Sequence, residues 1–180
     1  MDYLWLQLDE NQHEPKAENN FFDSNRLGNP TDEGSVKAMD TDERLKGLGD
    51  QILSVTDEFG KPLKYTINYT MMRIDLPKPL PSKGKVKFNV KWQYKIGNRI
   101  EIGGRGGYEH FKEDGNDLFS MTQWYPRMCV YSDFQGWQNK QFEGRGEFAL
   151  AFGNYKVSMT VPADHVVGAT GECQNYAQVL

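Results

Sequence analysis

Cysteine and histidine are scarce in this sequence, and their spacing excludes the common metal and disulfide frameworks. The 180 residues hold 2 cysteines and 3 histidines. Cys129 and Cys173 stand far apart with no C-x-x-C pair, so neither a zinc knuckle nor a disulfide scaffold is encoded. The sequence from His13 begins like the H-E-x-x-H zinc motif, but Pro15 would break the helix and Ala17 takes the fifth position. We therefore predict no catalytic residue and no metal ligand in this chain.

Long apolar runs and an excess of basic charge are also missing. The longest apolar stretches fall short of the roughly 20 residues that a membrane helix needs, and residues 1–6 lack the basic and apolar regions of a signal peptide. The net charge is -4, which disfavours nucleic acid as a partner. With 38% hydrophobic and 26% charged residues, the composition is that of a globular domain. We expect it to bind neither nucleic acid nor membrane.

The patterns that are present predict strands. A nearly continuous apolar run at residues 3–8 suits a strand buried on both faces. Residues 85–95 alternate strictly, so that one side is apolar and the other is rich in lysine. The apolar side holds Val86, Phe88, Val90, Trp92 and Tyr94. Further strand-like segments lie at 52–57, 63–76, 118–124, 127–131, 145–152, 154–161 and 166–172.

This succession of short strands and turns predicts an all-β fold. We expect an antiparallel β-sandwich with long loops and at most one short helix, in a single domain over residues 1–180. Residues 9–50 are predicted to form a long polar loop. Inside it, a capping box at Asp40 opens a short helix that runs to about Leu48.

Aromatic side chains are the main candidate binding feature, because such rings can stack on a sugar or a peptide. The candidate rings are Trp124, Tyr125, Tyr131, Phe134 and Trp137. The same rings could instead pack in the core, and the residues alone leave both interpretations open. The glycine-rich stretch 103–107 and the acidic turn 113–117 lack the surroundings that a phosphate loop or a calcium loop requires.

Several segments of the second half resemble a known family. Residues 118–131 read LFSMTQWYPRMCVY and are followed by GWQ at 136–138, GEFAL at 146–150, GNYKV at 153–157 and VPADHVVGATG at 161–171. These segments resemble the N-terminal domain of zinc aminopeptidases related to aminopeptidase N and leukotriene-A hydrolase. Weaker likeness extends to residues 105–115 and 3–9.

The resemblance implies a saddle-like β-sandwich that packs on a catalytic domain and walls its peptide-binding cleft. In that family the zinc and the catalytic residues belong to the domain that follows, so this chain would be a non-catalytic part of a longer metallopeptidase with no cofactor of its own. Its partners would be the catalytic domain of the same polypeptide and the peptide substrate. The chain would then be truncated, lacking a first hairpin and everything after Leu180. Export to the periplasm or the extracellular space would follow if the parent carries an upstream signal peptide.

The same resemblance implies a substrate-binding role for Gln123 and Tyr125. Many relatives carry a Gln and, two residues later, a Glu or Gln that hold the substrate amino terminus. Gln123 matches the first position, whereas Tyr125 departs from the second because it has no carboxylate to pair with an ammonium group. The alternative function is a free-standing β-sandwich that binds carbohydrate or peptide through Trp124, Tyr125 and Trp137.

Overall fold

The computed structural model describes residues 1–14, 45–142 and 151–179. Its strands are β1 (Tyr3–Gln7), β2 (Gln51–Asp57), β3 (Tyr65–Asn68), β4 (Met71–Asp75), β5 (Phe88–Gln93), β6 (Gly107–Phe111), β7 (Asn116–Ser120), β8 (Arg127–Met128), β9 (Tyr131–Ser132) and β10 (Gly136–Trp137). Helix in this part of the chain is limited to a 3₁₀ helix at Asp9–His13 and to α1 (Arg99–Ile102) and α2 (Tyr176–Val179). The strand pairs are antiparallel, which confirms the predicted all-β class.

Strand β1 lies inside a four-stranded sheet with the order β3-β4-β1-β8. Its alternate residues Leu4 and Leu6 are 3% and 2% exposed and lie opposite Ile74 and Met72 of β4. Leu8, just after the strand, is fully buried. Strand β1 is therefore an interior strand of the sheet, because neighbouring strands cover both of its edges. The predicted burial on both faces holds only in part, since Tyr3 and Trp5 are half-buried.

A second layer, formed by β2 and β5, covers the apolar face of this sheet. Val55 of β2 and Leu63 join the buried leucines of β1 in one core, and Phe88 and Val90 of β5 pack against it from the side. The two strands pair from Gln51 to Asp57, with a bulge between Ile52 and Ser54. Two layers enclosing one apolar core give the predicted sandwich.

The predicted alternation of residues 85–95 is confirmed over β5, where half-buried and exposed side chains follow one another. Val86 is an exception, since it was assigned to the core side but is 38% exposed. The strand begins only at Phe88, so Val86 lies before the paired stretch that would have covered it.

Two other regions differ from the predictions. No strand forms at 154–161 or 166–172 in the described chain, and these residues are exposed. The segment 145–152, which the turn at Gly153-Asn154 predicts as the hairpin partner of 154–161, lies mostly outside the described residues. The start of the helix predicted from Asp40 also lies outside them. The first residues of the predicted polar loop form the 3₁₀ helix Asp9–His13, in which Asp9 and Asn11 are buried. The loop therefore begins with a packed element rather than a solvated one.

Candidate functional site

The segment with the two predicted substrate-binding residues connects β7 to β8. Gln123 has φ +55, in the left-handed region that non-glycine residues seldom adopt, and the chain turns sharply there. Its side chain is half-buried, and its Oε1 accepts a hydrogen bond of 3.3 Å from Arg105 Nη2. The amide of Gln123 is thus held beside a guanidinium at the surface.

Four rings form a continuous group beside Gln123, which we call the aromatic cluster: Trp92, Trp124, Tyr125 and Tyr155. The indoles of Trp92 and Trp124 stack at 6.1 Å, and Trp92 Nε1 donates a hydrogen bond of 3.2 Å to the carbonyl oxygen of Trp124. Tyr125 meets Trp124 edge-on at 5.0 Å and Tyr155 at 6.1 Å. The first three rings are half-buried and Tyr155 is 66% exposed, so the cluster reaches solvent on one side.

The five candidate rings fall into separate groups. Trp124 and Tyr125 belong to the aromatic cluster, whereas Tyr131 and Trp137 meet each other at 5.4 Å. Trp137 also packs against the core, and Phe134 is 86% exposed. Trp137 therefore follows the core-packing interpretation, whereas Trp124 and Tyr125 lie together at the surface.

Tyr125 lies at the edge of a more polar environment. Burial raises the pKa of its hydroxyl, and a hydrogen bond and the charge of Tyr155 raise it further. The charges of Arg127 and Asp9 also act on this hydroxyl, in opposite directions. Tyr125 is consequently neutral near pH 7 and can donate or accept a hydrogen bond, but it cannot supply a negative charge.

Behind this segment lies a group of acidic side chains, the carboxylate cluster, made up of Asp9, Glu10, Glu14 and Asp50. Asp9 pairs with Arg127 of β8, which also donates a hydrogen bond of 3.2 Å to Gln7 Oε1. Asp9 is 1% exposed and Arg127 is 9% exposed, so the ion pair is buried. A buried pair of this kind needs good geometry to offset its desolvation.

The carboxylate cluster is not fully satisfied. In the described part of the chain, Asp9 Oδ1, Asp50 Oδ1 and Arg127 Nε are buried without a hydrogen-bond partner. Burial raises the pKa of Glu10 to about 7, with the charges of Asp50 and Asp9 adding to the effect. Burial likewise raises the pKa of Asp50 to about 7, helped by Asp9 and Glu14. These two carboxyls therefore hold protons close to neutral pH.

A small cleft opens beside Glu10. His13, Tyr94 and Ser120 contribute polar groups to its wall, and Leu48, Ile96 and Ile102 contribute apolar ones. Burial lowers the pKa of His13 and raises that of Tyr94, so both are neutral at pH 7. Over residues 1–14, 45–142 and 151–179, no three His, Cys, Asp or Glu side chains come close enough to hold a metal ion.

The sequence led to Gln123 and Tyr125 but not to the carboxylate cluster. Asp9 and its partner Arg127 are 118 residues apart in sequence. Asp50 N donates a hydrogen bond to Asn11 Oδ1, and these two residues are 39 positions apart. Two features of the sequence pointed toward the carboxylate cluster. The apolar run at residues 3–8 leads directly into Asp9 without a turn residue, and acidic residues are in excess near the N-terminus. Neither feature identifies the residues that contact Asp9, so the carboxylate cluster could not be predicted without the tertiary structure.

Comparisons with known proteins do not assign this chain to a family. A scan against protein-family models, a search of curated proteins and a search of solved structures each found no match. The helices of the described ranges are all too short to cross a membrane.

Proposed function

We propose that this chain is the non-catalytic β-sandwich domain of a zinc-dependent aminopeptidase. It packs on a catalytic domain and walls the peptide-binding cleft, with Gln123 facing the peptide. In this proposal, zinc and the groups that activate water belong to the catalytic domain. The sequence resemblance at residues 118–171 is the starting point for this proposal.

The observation that carries the proposal is an exposed apolar surface that adjoins the candidate site. Its side chains are exposed by 44% to 107%, and they are Phe152, Tyr155, Val157, Met159, Val161, Val166 and Val167. Tyr155 contacts Tyr125 in the aromatic cluster, and His165 stacks on Phe119 of β7 at 5.8 Å. Large apolar side chains exposed together along one segment are typical of a region that another domain covers.

The role of Gln123 follows from the groups around it. Its Oε1 already accepts a hydrogen bond from Arg105, and an amide oxygen has a second lone pair that can accept from a peptide N–H. Its NH₂ group can donate to a peptide carbonyl. Tyr125 contributes a neutral hydroxyl and a ring, so it favours contact with an apolar or aromatic portion of the peptide. We assign the ionic contact with the peptide amino terminus to the catalytic domain.

The first test is the intact mass of the native protein, with peptide sequencing past Leu180. A much larger polypeptide that carries H-E-x-x-H and a later glutamate, and that hydrolyses aminoacyl anilides in a zinc-dependent way, is the expected result. A native protein that ends near Leu180 would overturn the proposal. In that case, binding of oligosaccharides or peptides to the aromatic cluster would be measured next, with Trp124→Ala as the variant that removes a stacking ring.

The second test asks whether Gln123 faces the peptide in the native enzyme. We expect Gln123→Ala to raise KM about 10-fold or more with a smaller change in kcat, because a hydrogen bond to the bound peptide is lost. Gln135→Ala is the matched control, since Gln135 is an exposed glutamine in the β9–β10 turn. Equal effects of the two substitutions would contradict a substrate contact at Gln123.

A further inference from the structure

The carboxylate cluster lies where two distant parts of the chain meet. The 3₁₀ helix Asp9–His13 contacts the segment 48–50, and residues 15–44 connect the two in sequence. Asp50 N donates a hydrogen bond of 2.6 Å to Asn11 Oδ1, while Asn11 Nδ2 donates to the carbonyl oxygen of Tyr69 at 2.7 Å. Asn11 therefore ties the segment 48–50 to the sheet through the turn between β3 and β4.

The contact is tight as well as polar. A Cβ at Gly49 would lie 2.5 Å from Glu14 Cγ, so the Glu14 side chain would have to move, and the φ of +97 at Gly49 favours glycine. Leu48 and Asp50 on either side are each 7% exposed. Two chain segments thus pack closely with carboxyl groups on both sides of the contact.

The carboxyls at this contact act on one another. The charges of Asp50 and Asp9 act on Glu10, and those of Asp9 and Glu14 act on Asp50. Among the described residues, Arg127 is paired with Asp9, while Asp50 Oδ1 is buried with no hydrogen-bond donor. Lys95 borders the same cleft as Glu10, but its Nζ donates to the carbonyl oxygen of Lys46 at 3.3 Å. Within the ranges that the structure describes, the titratable and charged groups around the contact are Asp9, Glu10, His13, Glu14, Asp50, Tyr94, Lys95 and Arg127.

A proton fits this site better than a larger ligand. The cleft beside Glu10 leaves space for about one water-sized group. The described residues also supply no group of three metal ligands here. A protonated carboxyl, by contrast, removes a negative charge and supplies the O–H donor that a buried carboxylate lacks.

We propose that the carboxylate cluster is a proton-dependent clamp: proton binding holds the 3₁₀ helix against residues 48–50, and full ionisation loosens this contact. Burial and mutual repulsion raise the pKa values of Glu10 and Asp50 to about 7, so the clamp changes state close to neutral pH. His13 does not oppose this change, because its lowered pKa keeps it neutral there. The clamp is independent of the aminopeptidase proposal, since it involves neither the aromatic cluster nor zinc.

The test is hydrogen exchange of the Asp50 amide in the full chain, compared with the Leu63 amide. Leu63 N donates to the carbonyl oxygen of Val55 at 2.9 Å in the apolar core and so reports global unfolding. In the wild type, we expect the Asp50 amide to be less protected than the Leu63 amide at every pH, because the contact opens without global unfolding, and we expect its protection factor to fall about 10-fold between about pH 6 and about pH 8. Asp50→Asn and Glu10→Gln each remove one titrating carboxyl and should reduce the fall to about 2-fold or less.

The exposed Glu58 provides a matched control, because Glu58→Gln removes one carboxyl outside the cluster and should leave the wild-type fall unchanged. Both test variants keep the backbone amide of Asp50 and its acceptor Asn11. If Asp50→Asn fails to fold, Glu10→Gln decides, since the less buried Glu10 tolerates an amide more easily. A pH-independent protection factor at Asp50, protection of the Asp50 amide equal to that of Leu63 at every pH, or an unchanged fall in the folded cluster variants would each overturn the clamp.

Discussion

Two interior regions adjoin strand β1, and they are equally buried but chemically opposite. Leu4, Leu6 and Leu8 lie in the apolar core and are 0% to 3% exposed. Gln7 and Asp9, which alternate with them, are each 1% exposed but lie among polar groups. Burial of the leucines is favourable under all conditions, whereas burial of Asp9 is tolerated only through Arg127. The same degree of burial therefore has different energetic consequences within a few residues of chain.

The largest expected effect comes from removing the cation of the polar interior. Arg127→Met should destabilise the protein by about 3 to 5 kcal/mol near pH 8, because it leaves Asp9 buried and uncompensated. The loss should be smaller near pH 5, where Asp9 can take up a proton and become neutral. Urea unfolding at both pH values measures this difference. A loss that does not depend on pH would show that Arg127 acts through packing of its side chain instead.

The corresponding change in the apolar interior is Leu6→Ala. We expect a loss of about 2 to 4 kcal/mol from lost burial and the cavity that remains, with no dependence on pH. The control is Leu53→Ala at the β2 bulge, which should cost much less because Leu53 is 48% exposed. If the loss of stability in Leu6→Ala depended on pH, the apolar core and the polar interior around Asp9 would be energetically coupled.

Neutralising one carboxyl of the polar interior should increase stability. A carboxyl whose pKa is raised on folding destabilises the native state when it is ionised, so stability falls as pH rises from about 4 to about 7. For Asp50, whose pKa rises from 3.8 to about 7, the substitution Asp50→Asn should therefore stabilise the protein by about 1 to 3 kcal/mol near pH 8. The gain should vanish near pH 4. Unfolding curves across this range measure it, and a loss of stability at both ends of the range would contradict the prediction.

The smallest effect on stability is expected in the exposed C-terminal segment. Val157→Ser and Met159→Ser should change the free energy of unfolding by about 0.5 kcal/mol or less, because these side chains are 52% and 55% exposed. The same changes should reduce self-association of the isolated chain, as measured by sedimentation, because they remove apolar area from the surface. A large loss of stability would show that this segment packs on the sandwich as part of its core.

The predictions from sequence succeeded where the signal was local. Strand β5 was predicted from alternation, since a period of two along a few residues is enough to place one face inward. The interior position of β1 followed from its continuous apolar run. The same reasoning was wrong at 154–161, where an apolar alternation forms no strand among the described residues, because alternation alone supplies no hydrogen-bonded partner.

Part of the candidate site could also be predicted from local sequence, and part could not. Gln123 and Tyr125 could be selected from a contiguous stretch of sequence, and the structure brings them together with Arg105, Trp92 and Tyr155. The grouping of rings was not predictable, because Trp124 and Trp137 lie close in sequence yet face different neighbours.

The all-β class and the positions of the main interior strands are properties of local pattern, since side-chain periodicity and turn residues act over a few positions. The polar interior is a property of the folded chain. Asp9, Asp50 and Arg127 are ordinary surface residue types that come together only after distant segments pack. Their titration near neutral pH follows from that packing, because burial and the spacing between charges set a pKa, and both depend on residues far apart in sequence.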